Sequence, residues 1–447
     1  MLGFAGNRKW VYTLRIDGRF QRLRTWTFVA LHLILFVTPW IHVAGNPAVR
    51  IDLPGRKLYL LGAIFTASDT IFLLLLLLFL AFSLFFFTSL FGRVWCGYAC
   101  PQTVFLDSLV RPLEHWIEGP RAQRMKLDKA SWTFEKVWRK GFKWTVIALI
   151  AIVVAGTFGS YFTGAAAMWT GAAGSAAYFV TGVFALIWFL DLAWFRDQFC
   201  SYLCPYARFQ SALADDESLT ITYDIARAEP RGGKDAGPQG RCIDCNKCVA
   251  VCPQGIDIRN GFQLECIACA ACIDACDSVM TKFDQTSLVN YGSIAELEGK
   301  KVRLLRPRTI IYGGLLSALT AAGIVLAVMR APIEAQVSRV QGSLFQVDKD
   351  GWVRNTYMLR ITNKSASTVP VPYTVEVDGL KGAQVMAQPI QLTSTESRIV
   401  PLIVRIPPVG PMLRTMPMTV KVASPTASVT LEATFKTPGA IDDEGEH

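Results

Sequence analysis

Between Lys143 and Asp191 the chain carries no charged residue. Charge is scarce throughout. Only 18% of the 447 residues are charged, against about 25% in an ordinary soluble protein, and 52% are hydrophobic. That balance disfavours a wholly soluble chain. No cysteine follows Cys276, so no disulfide can staple the remainder. Histidine is rare. His32 and His42 share one apolar stretch, His115 lies in a polar one and His447 is terminal. Two histidines on one helix cannot ligate a haem from opposite faces, which argues against an intramembrane bis-histidine haem. A P-loop, a Rossmann glycine motif, a Ser/His/Asp set and a paired-carboxylate site are all missing. The net charge is +10, but no basic and aromatic groove motif accompanies it. Basic loops beside a membrane account for it better than a nucleic-acid partner.

What is present first is apolar length. A bilayer-spanning helix needs about 20 apolar residues. Five stretches qualify: 26–44, 70–91, two within the uncharged run at 144–163 and 176–195, and 309–329. The Gly/Ala-rich segment 164–174 is the natural turn between the third and fourth. Basic residues then suggest orientation. Arg8, Lys9, Arg15, Arg19, Arg22 and Arg24 precede the first span, and nine more Lys or Arg lie in 111–143. The loop 45–69 has only Arg50, Arg56 and Lys57. The positive-inside rule places residues 1–25 in the cytoplasm and, after five spans, the C-terminus outside. The basic leader is long for a cleaved signal peptide, so the first span is expected to be retained.

The twelve cysteines are clustered, which favours metal sites over disulfides. Cys242, Cys245, Cys248 and Cys252 form C-x2-C-x2-C-x3-C, followed by Pro253, and Cys266, Cys269, Cys272 and Cys276 repeat the spacing. Short gaps let a tight loop wrap three corners of a cubane, while the fourth ligand comes from the other run. Cys242, Cys245, Cys248 and Cys276 are therefore expected to hold one [4Fe–4S] cluster. Cys266, Cys269, Cys272 and Cys252 are expected to hold the other. Asp277 stands where the second proline would be. With Asp274 it adds negative charge that would tend to lower the potential of the nearby cluster.

The other four cysteines belong to an internal repeat. Cys96, Tyr98, Cys100, Pro101, Phe105 and Leu109 recur 104 residues on as Cys200, Tyr202, Cys204, Pro205, Phe209 and Leu213. Each C-x3-C-P follows the second span of a hairpin, so both sit at the same membrane boundary. Proline favours the first helical turn. That would put Cys100 and Cys204 at helix N-termini, where the dipole favours thiolate. Thiolates suit Cu(I), zinc or iron–sulfur clusters. The four could converge, bind one metal per pair, or cycle between dithiol and disulfide. Asp191, near the end of the fourth span, is a functional candidate because intramembrane carboxylates usually are. Met168 is a conceivable copper thioether ligand, although apolar filling is commoner.

The expected architecture is a multi-domain membrane protein. Segment 1–25 is a cytoplasmic lead-in, and 26–204 holds four transmembrane helices as two hairpins. Segment 205–308 is a cytoplasmic, bacterial-type two-cluster ferredoxin domain (α+β), and 309–329 is the fifth helix. Segment 331–447 is an all-β immunoglobulin-like sandwich with an acidic tail at Asp442–Glu446. Alternation at Trp352–Ile361, Val371–Val377, Ile399–Ile406 and Thr419–Val422 supports that sandwich.

In this order of motifs the chain resembles the cytochrome c oxidase accessory proteins of the CcoG (FixG, RdxA) family over nearly its whole length. The segment Trp95-Cys96-Gly97-Tyr98-Ala99-Cys100-Pro101 also resembles membrane polyferredoxins of the NapH and NosR type. The resemblance implies a bacterial inner-membrane protein with a periplasmic C-terminal domain. It implies assembly of cbb3-type oxidase through reduction of Cu(II) to Cu(I), with oxidase subunits or copper-delivery proteins as partners. Cys96, Cys100, Cys200 and Cys204 would then handle copper or exchange electrons, making the chain a cupric reductase. Electrons would come from a cytoplasmic donor or from quinol. Two alternatives stand beside this. One is a quinol-linked electron-transfer module, for which no quinone motif is visible. The other is a structural assembly factor whose clusters only sense redox state.

Overall fold

The structure is a computed structural model that describes residues 10–43, 45–66, 69–232, 242–303, 305–340, 342, 344–365, 369–394, 396–407 and 413–439. Arg8, Lys9, the acidic tail Asp442–Glu446 and His447 lie outside the described residues. Among the described residues five helices are long and apolar enough to cross a membrane: Arg19–Trp40, Thr70–Phe91, Phe134–Thr163, Ser175–Phe195 and Pro307–Val328. The second coincides with its expected bounds. The first and third start earlier than expected, by seven and ten residues respectively, because polar first turns do not break a helix that is capped. Thr133 caps the third, its Oγ1 accepting from Lys136 N at 3.3 Å. The first is capped from far away. The Asp274 carboxylate accepts from Phe20 N at 3.2 Å and Gln21 N at 2.7 Å. The expected turn at 164–174 contains a short helix, Ala165–Thr170, set off by positive φ at Gly164, Gly171 and Gly174. The chain divides into two compact units.

The first unit holds residues 1–41 and 70–323. Within it the cysteine-rich segment is α+β. Strand Thr220–Tyr223 pairs antiparallel with Val289–Gly292, and helices Lys247–Ala250 and Ala271–Met280 follow the two cysteine loops. Ile221, Tyr223, Ile258, Ile273, Leu288 and Val289 form its core, with Cys242, Cys248, Cys266, Cys272 and Cys276 packed against it. Residues from the N-terminal segment lie on it too, since Leu14 N donates to Ala250 O at 2.8 Å. The segment between the second and third long helices forms a buried ion-pair network with residues of the second hairpin. Glu114 is gripped by Arg196 at 2.6 Å, Arg124 at 3.1 Å and Lys143 at 3.4 Å. Asp107 pairs with Arg24 and Arg111.

The second unit joins residues 42–69 to 324–447. One antiparallel sheet orders Gln384–Ala387, Ser397–Ile406, Val353–Asn363 and Ile333–Arg339, with Gln346–Val347 on the edge of Val353–Asn363. The other orders Ile390–Leu392, Val371–Asp378, Thr415–Ala423 and Ser428–Lys436. All four strands read from alternation are present. The inward residues Leu359, Ile361, Leu402, Val404, Val420 and Phe435 make one shared core, as in an immunoglobulin-like sandwich. The segment 45–69, read from sequence only as a loop between the first two spans, has structure of its own. It forms a three-stranded sheet, Val49–Asp52, Lys57–Leu60 and Ala63–Phe65. Asp69 ties it down, pairing with Arg330 at 2.7 Å and Lys364 at 2.9 Å.

Candidate iron–sulfur and membrane-edge thiol sites

Both ferredoxin-type runs adopt the same backbone. Asp244 and Asn246 in the first, and Ala268 and Ala270 in the second, have φ of 56°, 56°, 50° and 60°. A left-handed residue on each side of the middle cysteine curls the loop at the same two positions in both runs. Such residues are uncommon outside glycine and turn sites, and their recurrence at matched positions marks a built loop. Cys242, Cys245, Cys248 and Cys276 line one small chamber. Cys252, Cys266, Cys269 and Cys272 line a second, which Cys248 also borders. The structure thus brings together the two foursomes expected from the crossed ligand pattern. Burial pushes the Cys252 thiol up to about 11 and those of Cys248 and Cys266 up to about 12. Loading would therefore release protons.

The residues present fit [4Fe–4S] groups. Each chamber has four thiols, apolar walls and a backbone amide close to sulfur, Leu288 N lying 3.4 Å from Cys276 Sγ. Among the described residues no three His, Cys, Asp or Glu side chains are disposed to close on a single ion. A cubane is wider, giving each thiolate its own iron corner.

Cys96, Cys100, Cys200 and Cys204 are also neighbours. Cys200 lies within electrostatic reach of the other three and of Arg93. Cys100 and Cys204 are the caps preceding the helices that Pro101 and Pro205 open, as the sequence predicts. At Cys100 burial opposes the expected thiolate character. Burial raises the Cys100 thiol in spite of the amides of Thr103 and Gln102, pushes Cys96 up to about 11 and raises Cys200. Desolvation outweighs one helical turn of dipole. Cys96 instead donates to Gln210 Oε1 at 2.9 Å.

This membrane-edge site abuts the second chamber. A Cβ on Gly97 would stand 2.6 Å from Ile267 O and 2.8 Å from Cys269 Cα. Only glycine admits that approach. Arg93 donates to Leu264 O, and Tyr291 Oη donates to Ala268 O at 2.6 Å while meeting Tyr98 Oη at 3.3 Å. Cys96, Ile267, Cys269 and Ala271 share one core, with Tyr206 and Cys272 at its border.

Other expected candidates fall elsewhere. Met168 is buried against Gly159 and acts as filling. Asp191 opens a π-helical turn, and its Oδ1 is buried without a hydrogen-bond partner. Asp274 caps the first span, and Asp277 faces Arg19 at 4.0 Å. Their charges are thus met locally, which weakens the expected effect on cluster potential. Sequence reasoning missed Arg93, Gln210 and Tyr291, because their roles depend on contacts 114 or more residues apart or on backbone carbonyls. The glycine between the cysteines was the one available signal.

Three family models match. One described as a 4Fe-4S dicluster domain covers residues 195–294, and one described as a 4Fe-4S binding domain covers 72–119. One for the IG-like fold at the C-terminal of FixG covers 323–438. Protein RdxA of Cereibacter sphaeroides is 36% identical, the alignment covering 83% of this chain and 83% of that protein. The nitrogen fixation protein FixG of Rhizobium meliloti is 34% identical, over 83% of this chain and 79% of its own. More distantly, the ferredoxin-type protein NapH of Haemophilus influenzae is 26% identical over 44% of this chain and 64% of its own.

Proposed function

Since the chain belongs to the FixG/RdxA family of iron–sulfur electron-transfer proteins, we propose that it reduces Cu(II) to Cu(I) at its membrane-edge cysteines during assembly of a cbb3-type oxidase. Cys242, Cys245, Cys248 and Cys276 hold one [4Fe–4S] cluster, and Cys252, Cys266, Cys269 and Cys272 hold the second. When bound, these groups supply one-electron carriers. Copper is the substrate. It meets Cys96, Cys100, Cys200 and Cys204, takes one electron, and leaves as the ion that soft thiolates favour. The observation that carries this reading is the shared wall at Gly97, where the membrane-edge thiols lie against the loop of Cys269. The clusters and both C-x3-C-P motifs face the cytoplasm in this reading, and the β-sandwich faces the periplasm.

The test uses anaerobically purified protein reduced with dithionite, freed of excess reductant, and challenged with Cu(II) and a Cu(I)-specific chelator. Wild-type protein should develop the Cu(I) complex. The quadruple variant Cys96→Ser, Cys100→Ser, Cys200→Ser, Cys204→Ser should not, although its ferredoxin iron is retained. Equal copper reduction by both would sink the reading.

A second reading has its own observation. The 4Fe-4S binding model over residues 72–119 contains only Cys96 and Cys100 as thiols. On that reading the four membrane-edge cysteines hold a third cluster. Iron analysis separates the two: about eight irons per chain for two clusters and about twelve for three.

A further inference from the structure

The sequence carries no quinone motif, yet the first unit contains a cavity of about 530 Å³ beside the first span. That size is in the usual range for small-molecule sites, about 300–1,000 Å³. Its body is apolar, walled by Phe28, Leu33, Phe36 and Leu109. Its inner end is polar, with Arg24, Asp107, Arg111 and His115. Val251 and Pro253, on either side of Cys252, and Ala271, next to Cys272, close it on the ferredoxin side. Val29 and Leu33 line it and are 43% and 58% exposed on a membrane-spanning helix. A lipid-soluble ligand would therefore reach it sideways from the bilayer.

One side chain in the wall awaits a partner. His32 Nδ1 lies 2.6 Å from Phe28 O. A carbonyl only accepts, so Nδ1 carries the ring proton and Nε2 carries the lone pair. Nε2 is buried and has no hydrogen-bond partner. The ring cannot swing away easily, because Phe36 stacks on it at 5.9 Å and Phe105 meets it edge-on at 5.3 Å. Buried acceptors are normally satisfied, so a hydroxyl donor that enters the cavity and parts the wall side chains over Nε2 would complete the site.

We propose that this cavity binds a membrane quinol and that His32 Nε2 accepts a proton from its head-group hydroxyl. The inference rests on the electron-transfer reading above and supplies its electron donor. Oxidation of the quinol to quinone breaks two O–H bonds and releases two electrons and two protons. One proton goes to His32 Nε2 and the other to water at the polar end. The electrons leave singly toward the iron–sulfur groups held by Cys252 and its three partners. The apolar body takes the isoprenoid tail.

The test uses the full chain with its clusters loaded, in lipid nanodiscs under anaerobic conditions. Decylubiquinol and a short-chain menaquinol are mixed in turn with oxidised protein, and bleaching of the cluster absorbance is followed. Binding of the matching quinone is measured separately by equilibrium dialysis. At least one quinol should bleach wild-type protein. His32→Leu should slow that bleaching at least tenfold, with iron content and dithionite bleaching unchanged. Val29→Trp, which narrows the wall without touching a polar group, should abolish quinone binding. Bleaching by neither quinol, or equal rates and binding in wild type and both variants, would overturn the proposal. So would a tightly held phospholipid that neither quinone displaces. Failure of the copper reading is separable, because dithionite drives copper reduction without quinol.

Discussion

Glu114 shows what a single residue does here. It is 1% exposed and accepts from Arg196 at 2.6 Å and 3.0 Å and from Arg124 at 3.1 Å. Burial would raise its carboxyl, but Arg196, Lys143 and Arg124 hold it down at about 2. The ionised form is therefore favoured in the folded state. Its stabilisation is fully present above the unfolded carboxyl value of 4.5 and is lost as pH falls toward 2. Glu114→Gln leaves buried cations without their anion. We expect a loss of about 3–5 kcal/mol, read as a lower unfolding midpoint in detergent at pH 7, with a smaller gap between variant and wild type at pH 3. Gly97→Ala tests a different force. The added methyl would overlap the backbone at Ile267 and Cys269, so the two loops must separate. A cost of about 1–3 kcal/mol is expected, together with slower copper reduction at unchanged iron content. An unchanged reduction rate would mean that the close approach does not serve electron passage.

Elements were legible where their cause is local. The apolar runs announce all five long helices, and Val353–Asn363, Val371–Asp378, Ser397–Ile406 and Thr415–Ala423 announce themselves by alternation. Strand starts and helix starts set by remote partners were not legible. The first span begins at Arg19, not near Trp26, because a carboxylate about 250 positions away caps it. Gly18 leaves room for that carboxylate, since a Cβ there would stand 2.2 Å from Asp274 Cγ. Asp274→Ala should therefore cost about 0.5–2 kcal/mol and should speed hydrogen exchange at Phe20 and Gln21 before other amides of the helix. The cysteine loops belong to the legible class, because their spacing determines the fold of a few residues. The cavity beside the first span does not. Residues 13–36, 107–124, 251–253 and 271 contribute to it, and none of these segments signals it alone. His32 reads in sequence as one polar residue on an apolar helix.

At the scale of the first unit, the sites have an order. The cavity closes on Val251 and Pro253, either side of Cys252, and on Ala271, next to Cys272, and the membrane-edge thiols lie against the Cys269 backbone through Gly97. Both contacts belong to the same foursome, Cys252, Cys266, Cys269 and Cys272. The other foursome lines a separate chamber that neither contact touches. If electrons enter from the cavity and leave at the membrane edge, the first foursome is on the shortest route and the second is a side reservoir. Electron carriers removed from the two positions should then have unequal effects. Cys269→Ser should abolish quinol-driven copper reduction, whereas Cys245→Ser, which alters an exposed cysteine of the other chamber, should leave much of it. Iron analysis and cluster spectra on each variant check that only the intended group is lost. If both variants fall equally while each retains its remaining cluster, the electron route includes both chambers, as it would with a soluble donor docking at Cys245. That outcome would move the entry point away from His32 and keep the exit at Gly97.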